Sequence, residues 1–146
     1  MKEIYTEIVI KSSTKVIWNI IINFDNYPNW NPFMKQIIGE LQEGSKIQVT
    51  IKPYNSGNIT YKPKILELKP EEKIKWLGIT GIPHLFDGEH SLILKKIDEN
   101  KVLFIQKEKF TGILVPILTG LLKNTEISFK MMDEALKKEA EKNIIT

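Results

Sequence analysis

The chain has 146 residues, of which 42% are hydrophobic and 27% are charged, with a formal net charge of +3 at pH 7 and no cysteine. This balance is typical of one folded domain and excludes a disordered chain, while the lack of cysteine excludes a disulfide scaffold, a thiolate metal site and a cysteine nucleophile. All 21 basic residues are lysines spread along the chain, and lysine lacks the bidentate fork that reads phosphates and guanine, so we expect no nucleic-acid binding.

The first predicted elements are a strand and a helix. Residues 3–11 (EIYTEIVIK) alternate between two faces, which predicts a strand. Ser12 and Ser13 then offer an N-cap, and apolar residues at helical spacing run from Val16 to Phe24. The charged N-terminal stretch has no signal-peptide core, so we expect a cytoplasmic protein.

An aromatic segment follows the helix, with the sequence NFDNYPNWNPF over residues 23–33. Pro28 and Pro32 disfavour a helix interior or a central strand, so an irregular loop is predicted. Its aromatic side chains indicate a lid, either on the core or on a cavity. Trp30 and Phe33 are expected to close one end of that cavity, facing the C-terminal helix.

Strand patterns and one long helix make up the rest of the chain. The predicted strands cover residues 36–41, 47–51, 59–68 with a bulge or edge at Pro63, 73–79, 86–97 and 101–110. Apolar spacing then predicts an amphipathic helix from about Leu114 to Glu141, with Pro116 in its first turn. The predicted fold is α+β, with a curved antiparallel sheet of about seven strands around the C-terminal helix and one or two short helices after the first strand. The longest apolar run, GILVPILTGLL, is too short to span a membrane, so no stable insertion is expected.

The last two strands read as a long hairpin. If residues 98–100 form a three-residue loop, Ile97 faces Lys101, and His90 lies directly opposite Glu108 on the face toward the helix. Such a pair is a satisfied structural pair, the polar end of a ligand pocket or a catalytic pair, and the sequence leaves all three open. We predict that the two groups titrate together.

The order of these motifs resembles the START-like (SRPBCC) superfamily of helix-grip proteins, in particular its polyketide cyclase/dehydrase and lipid-transport branch. The matching pieces are residues 16–18 (VIW), 24–33 (FDNYPNWNPF), 37–39 (IIG), 75–78 (KWLG), 87–90 (DGEH) and 108–112 (EKFTG). The resemblance implies a cavity between the sheet and the C-terminal helix that takes a small apolar molecule or a lipid. It implies no particular catalytic residue.

The predicted function is therefore binding of a small hydrophobic or amphipathic molecule by a single START-like domain over residues 1–146. The alternatives are an enzyme of the cyclase or dehydratase type that uses the same cavity, and a surface-acting adaptor resembling a co-chaperone. No cofactor, no metal and no catalytic residue is predicted, and the oligomeric state is left open. The predicted ligand-binding residues are Trp30, Phe33, Trp76, Phe86, His90, Phe104, Gln106, Glu108, Phe110, Leu114, Phe129 and Met132.

Overall fold

A computed structural model describes residues 2–79, 84 and 87–142. Within these residues the strands are β1 (Lys2–Ile10), β2 (Met34–Ile38), β3 (Gln48–Ile51), β4 (Ile59–Tyr61), β5 (Lys64–Lys69), β6 (Lys73–Ile79), β7 (Asp87–Asp98) and β8 (Lys101–Thr111). The α-helices are α1 (Thr14–Ile22), α2 (Tyr27–Trp30) and α3 (Thr119–Glu141). The predicted α+β class is confirmed.

The strands form two linked antiparallel sheets, a five-stranded one in the order β1-β8-β7-β6-β5 and a three-stranded one in the order β2-β3-β4. Backbone hydrogen bonds join them, from Ile47 N–H to Pro63 O at 3.0 Å and from Ile65 N–H to Ser45 O at 2.9 Å. The predicted strand over residues 59–68 breaks at Pro63, which has no N–H to donate, and its two halves lie in different sheets. The combined surface curves around α3, as the helix-grip prediction requires.

Helix α3 packs across β1 and β8 and supplies much of the core. Phe129, Met132 and Leu136 are fully buried, whereas Leu121, and Leu118 just before the helix, are only half-buried although helical spacing places them on the same face. Leu121 therefore borders open space, whereas the helix from Phe129 onward packs against the core. Among the described residues, no helix combines the length and the apolar character needed to cross a membrane.

The long helix begins later than its predicted start at Leu114. Residues Val115–Ile117 form a separate 3-10 turn, which holds Pro116. Leu118 has a φ of −102° and a ψ of 28°, outside the α-helical region, so the α-helix proper starts at Thr119.

The aromatic segment is partly helical, which corrects the predicted irregular loop. It contains a 3-10 turn at Phe24–Asn26 and the single-turn helix α2. Pro28 fits because it lies in the first turn of α2, where a backbone N–H has no partner within the helix. The N-cap before α1 is confirmed, since Ser13 Oγ accepts the N–H of Val16 at 3.2 Å.

The turn of the β7–β8 hairpin is one residue shorter than predicted. Asp98, rather than Ile97, faces Lys101, and a bulge lies at Ile97. The Asp98 carboxylate accepts the backbone N–H of Asn100 at 2.9 Å and so closes the tight turn. Because the bulge absorbs the extra residue, the predicted register holds along the rest of the hairpin.

Candidate functional site

A cavity of about 280 Å³ lies between the two sheets and the first half of α3. Its volume is near the lower end of small-molecule sites, roughly 300–1,000 Å³. Most of the surface is apolar. The described residues that line it are Phe33, Ile51, Pro53, Ile59, Tyr61, Trp76, Gly78, Gly88, Glu108, Phe110, Leu114, Leu118, Leu121 and Thr125.

Two glycines facing each other form part of the cavity floor. Gly78 of β6 pairs with Gly88 of β7. A Cβ atom on Gly78 would lie 3.1 Å from the ring of Tyr61, and one on Gly88 would collide with the carboxylate of Glu108. The absence of both side chains lets Tyr61 and Glu108 lie close against the sheet.

Four polar side chains form a hydrogen-bonded row from the cavity to α3, which we call the polar row: Glu108, His90, Gln106 and Asp133. His90 Nδ1 lies 2.8 Å from Glu108 Oε1, and His90 Nε2 lies 3.1 Å from Gln106 Oε1. Gln106 Nε2 donates to Asp133 Oδ1 at 2.7 Å. Glu108 lines the cavity, while the other three are buried behind the wall. The predicted pairing of His90 with Glu108 is confirmed.

The position of one proton follows from the hydrogen bonds of Gln106. Its Nε2 also donates to the backbone carbonyl of Phe129 at 3.2 Å, and a carbonyl can only accept. The amide oxygen of Gln106 must therefore face His90, so His90 Nε2 carries a proton and donates it. On the other side of the ring, Nδ1 and the Glu108 carboxylate share one further proton.

Burial affects two titratable groups around the cavity. It raises the pKa of Asp133, and the hydrogen bond from Gln106 only partly opposes that effect. It also raises the pKa of Tyr61, with a further contribution from the negative charge of Glu108. Tyr61 therefore stays a neutral phenol at physiological pH.

Aromatic rings hold His90 in place. The indole of Trp76 stacks on the imidazole with ring centroids 5.4 Å apart and an interplanar angle of 20°. Phe129 meets the imidazole edge-on at 4.9 Å and contacts Phe33 at 5.6 Å. The four rings connect the sheet, α3 and the aromatic segment, so the orientation of His90 is fixed by packing as well as by hydrogen bonds.

The predicted site residues separate into lining and supporting groups. Those that line the cavity are Phe33, Trp76, Glu108, Phe110 and Leu114. Those buried behind the lining are His90, Phe104, Gln106, Phe129 and Met132. Phe86 lies outside the described residues.

Trp30 does not line the cavity, which corrects its predicted place beside Phe33. Helix α2 turns its indole onto Tyr27, with ring centroids 5.3 Å apart. Phe33, three residues further along, does line the cavity.

Sequence reasoning missed the glycine pair and Tyr61. Glycines inside strand patterns were the available signal, since they mark a close approach of other groups to the backbone. No comparable signal exists for Tyr61, because its strand β4 is short and belongs to the second sheet. Within the described part of the chain, no group of three or more His, Asp or Glu side chains is placed to hold a metal ion.

No family model and no curated protein sequence matches this chain. Solved structures do match it along nearly its whole length. The Zhui aromatase/cyclase from Streptomyces sp. R1128 superposes with a TM-score of 0.80 at 12% identity, covering 99% of this chain and 96% of that one. The chain has the START-like helix-grip fold.

Two further solved structures superpose on the chain in the same way. A START superfamily protein from Mycobacterium smegmatis has a TM-score of 0.74 at 16% identity, with 96% of this chain and 97% of that one covered. Norcoclaurine synthase from Thalictrum flavum, in complex with dopamine and hydroxybenzaldehyde, has a TM-score of 0.72 at 16% identity, with 99% and 89% covered. At these identities the likeness is one of fold, and the START-like resemblance predicted from the sequence is confirmed at that level.

Proposed function

We propose that this protein binds a small, mostly apolar molecule in the cavity between its sheets and α3. The observation that carries the proposal is an open apolar cavity beside a fully packed core. From Phe129 onward α3 is packed, with Phe129 and Met132 completely buried, whereas Leu121 near its start and Leu118 just before it line unfilled space. An unfilled apolar cavity lowers stability, so a ligand that fills it regains that packing.

The structural comparisons support this proposal. One matching structure is an aromatase/cyclase, and another holds dopamine and hydroxybenzaldehyde, both small aromatic molecules. The cavity here is also lined mainly by apolar and aromatic side chains. A compact ring compound suits its volume of about 280 Å³ better than a two-chain lipid does.

A neutral fluorescent probe, N-phenyl-1-naphthylamine, tests the proposal. We expect its emission to rise on binding to the wild type and to reach saturation at one site. Leu121→Trp fills the cavity and should abolish the rise. Lys123→Trp, on the exposed face of the same helix, is the matched control and should bind like the wild type. Undiminished binding to a folded Leu121→Trp variant would place the probe elsewhere and refute the proposal.

An enzyme of the cyclase or dehydratase type is the second candidate. One observation favours it: Glu108 presents a carboxylate to the cavity while His90 holds that carboxylate at 2.8 Å. Such a group can take a proton from a bound molecule or return one.

The base-sensitive probe 5-nitrobenzisoxazole tests this second candidate, since removal of one proton opens its ring. Catalysis by Glu108 predicts a rate above buffer that Glu108→Gln abolishes, with unchanged displacement of the fluorescent probe. If 5-nitrobenzisoxazole displaces the fluorescent probe from the wild type but reacts no faster than in buffer, the enzyme candidate is wrong and only the binding proposal stands.

A further inference from the structure

We infer that the molecule bound in this cavity carries a neutral hydroxyl group on a ring skeleton, with the hydroxyl held between Glu108 as acceptor and the indole N–H of Trp76 as donor. This inference rests on the proposed function and names the chemical class of its ligand. It follows from the hydrogen-bonding capacity of these two side chains that is not used within the described residues, and from the charge of the cavity wall.

Trp76 supplies the donor. Its side chain is only 1% exposed and lines the cavity, and its Nε1–H is buried without a hydrogen-bond partner among the described residues. Its interaction with the hydroxyl of Tyr61, a second lining residue, lowers the pKa of that phenol against the larger effect of burial but falls outside hydrogen-bond geometry. Buried donors nearly always have a partner, so an oxygen atom of the ligand is the expected acceptor.

Glu108 supplies the acceptor. Its Oε1 is hydrogen-bonded to His90 Nδ1, and its Oε2 lies over Gly88 on the cavity floor. A carboxylate oxygen accepts hydrogen bonds and does not donate them. A ligand group that meets both Glu108 and Trp76 must therefore donate one hydrogen bond and accept another, as a hydroxyl does.

The charge of the wall excludes an anionic head group. The described lining residues include no lysine, and Glu108 is their one carboxylic acid. A carboxylate or phosphate would meet the acceptor oxygen of Glu108 and no lysine in this lining, so its charge would be buried without a cationic partner there. A cationic group is not required either, because Glu108 already shares a proton with His90. A neutral hydroxyl satisfies both residues without adding charge.

Isothermal titration calorimetry with four naphthalenes at pH 7 tests the inference. 2-Naphthol donates and accepts, 2-methoxynaphthalene only accepts, 2-methylnaphthalene does neither, and 2-naphthoate is an anion of similar size. We expect 2-naphthol to bind about tenfold more tightly than the methoxy and methyl compounds, and 2-naphthoate to bind most weakly.

Two variants locate the effect on the proposed residues. Glu108→Leu, which removes the acceptor, and Trp76→Phe, which removes the donor, should each reduce the ratio of the 2-naphthol affinity to the 2-methylnaphthalene affinity several-fold. Lys109→Gln, next to Glu108 but exposed on the other face of β8, should keep the full preference. Circular dichroism identifies any variant that fails to fold, and the remaining variant then carries the test.

The outcomes separate this inference from the proposed function. If N-phenyl-1-naphthylamine binds in the cavity but the naphthalenes bind equally, or 2-naphthoate binds best, the hydroxyl inference is wrong and the proposed function stands. If N-phenyl-1-naphthylamine does not bind the cavity either, both are wrong. A 2-naphthol preference that survives both substitutions also overturns the inference.

Discussion

The amide of Gln106 determines how the polar row is protonated. It is fully buried and bonds to His90, Asp133 and the carbonyl of Phe129 at once. This leaves His90 as a fixed donor toward Gln106, so the imidazole can exchange a proton only on the side of Glu108. The hydrogen bonds available to the Glu108 carboxylate, which lines the cavity, are therefore set by a residue that does not line it.

Replacing Gln106 should destabilise the fold. Gln106→Leu keeps a similar volume but leaves the N–H of His90 and the carboxylate of Asp133 without their partner, so we expect a loss of about 1–3 kcal/mol in the free energy of unfolding. Urea denaturation measures it. Lys109→Leu, exposed on the same strand, should change stability by no more than about 0.5 kcal/mol. Equal effects of the two substitutions would show that the row is not a connected network.

Asp133 should give the protein a distinctive pH dependence. Burial raises its pKa above the ordinary value of 3.8, so the folded state binds this proton more tightly than the unfolded state. The resulting stabilisation is complete below pH 3.8 and is lost as the pH rises through the raised, folded-state pKa.

Asp133→Asn removes this titration and keeps an oxygen that can accept from Gln106. The variant should therefore gain stability relative to the wild type as the pH rises from about 4 toward 7. Unfolding free energies from urea titrations across that range provide the measurement. A difference between the two proteins that does not change with pH would contradict the assignment.

Helix α3 combines two structural roles along its length. From Phe129 onward it closes the core through Phe129, Met132 and Leu136, and its first turns, through Leu121 and Thr125, form one wall of the cavity. Helical periodicity predicted both halves as one continuous stripe, because it reports which residues face inward. Periodicity does not show whether side chains of the sheets pack against those inward-facing residues, so the sequence could not distinguish core from cavity wall.

Truncation of the α3 residue Phe129 should have the large effect on stability that is typical of a core position. Phe129→Ala removes ring contacts to Phe33 and His90 from a fully buried site, so we expect a loss of about 3–5 kcal/mol. Met131→Ala, at a side chain that is 43% exposed on the same helix, should cost far less. Chemical denaturation compares the two, and a loss below roughly 1 kcal/mol for Phe129→Ala would indicate a cavity at that position instead.

The glycine pair of β6 and β7 should control access to the cavity floor. In Gly88→Ala the new methyl group displaces the carboxylate of Glu108, so binding of 2-naphthol should weaken several-fold while the strand register is kept. Gly57→Ala is the matched control, because no atom lies within 4 Å of the added methyl group. Calorimetry measures both affinities. Unchanged affinity in Gly88→Ala would mean that Glu108 does not contact the ligand.

At the scale of the whole molecule, the sequence predicted the hairpin register but not the division of the strands into two sheets. The hairpin register that pairs His90 with Glu108 could be predicted from the alternation of apolar and polar residues. Each strand has one buried face, and a shift of one residue would move the buried side chains to the exposed face. The division into two sheets and the position of Tyr61 depend on long-range pairing of short strands. Alternation in a three-residue strand such as β4 is too brief to specify a partner.

The cavity should also make the stability of the whole protein depend on its ligand. A molecule that binds only the folded state stabilises it by about 1.4 kcal/mol at ten times its dissociation constant, which corresponds to a rise of roughly 5 °C in Tm for a domain of this size. We expect 2-naphthol to raise the Tm of the wild type and of Lys123→Trp by this amount, as measured by differential scanning calorimetry. Leu121→Trp, whose cavity is filled, should show no rise.

The form of the concentration dependence separates site binding from a general solvent effect. Binding at one site adds nearly the same stability for each tenfold increase in 2-naphthol above its dissociation constant, whereas a solvent effect grows in proportion to concentration. A linear rise, or an equal rise in Leu121→Trp, would show that the compound acts outside the cavity. A Tm that rises with the logarithm of the 2-naphthol concentration, and only in proteins with an open cavity, would show that ligand binding between the sheets and α3 stabilises the fold.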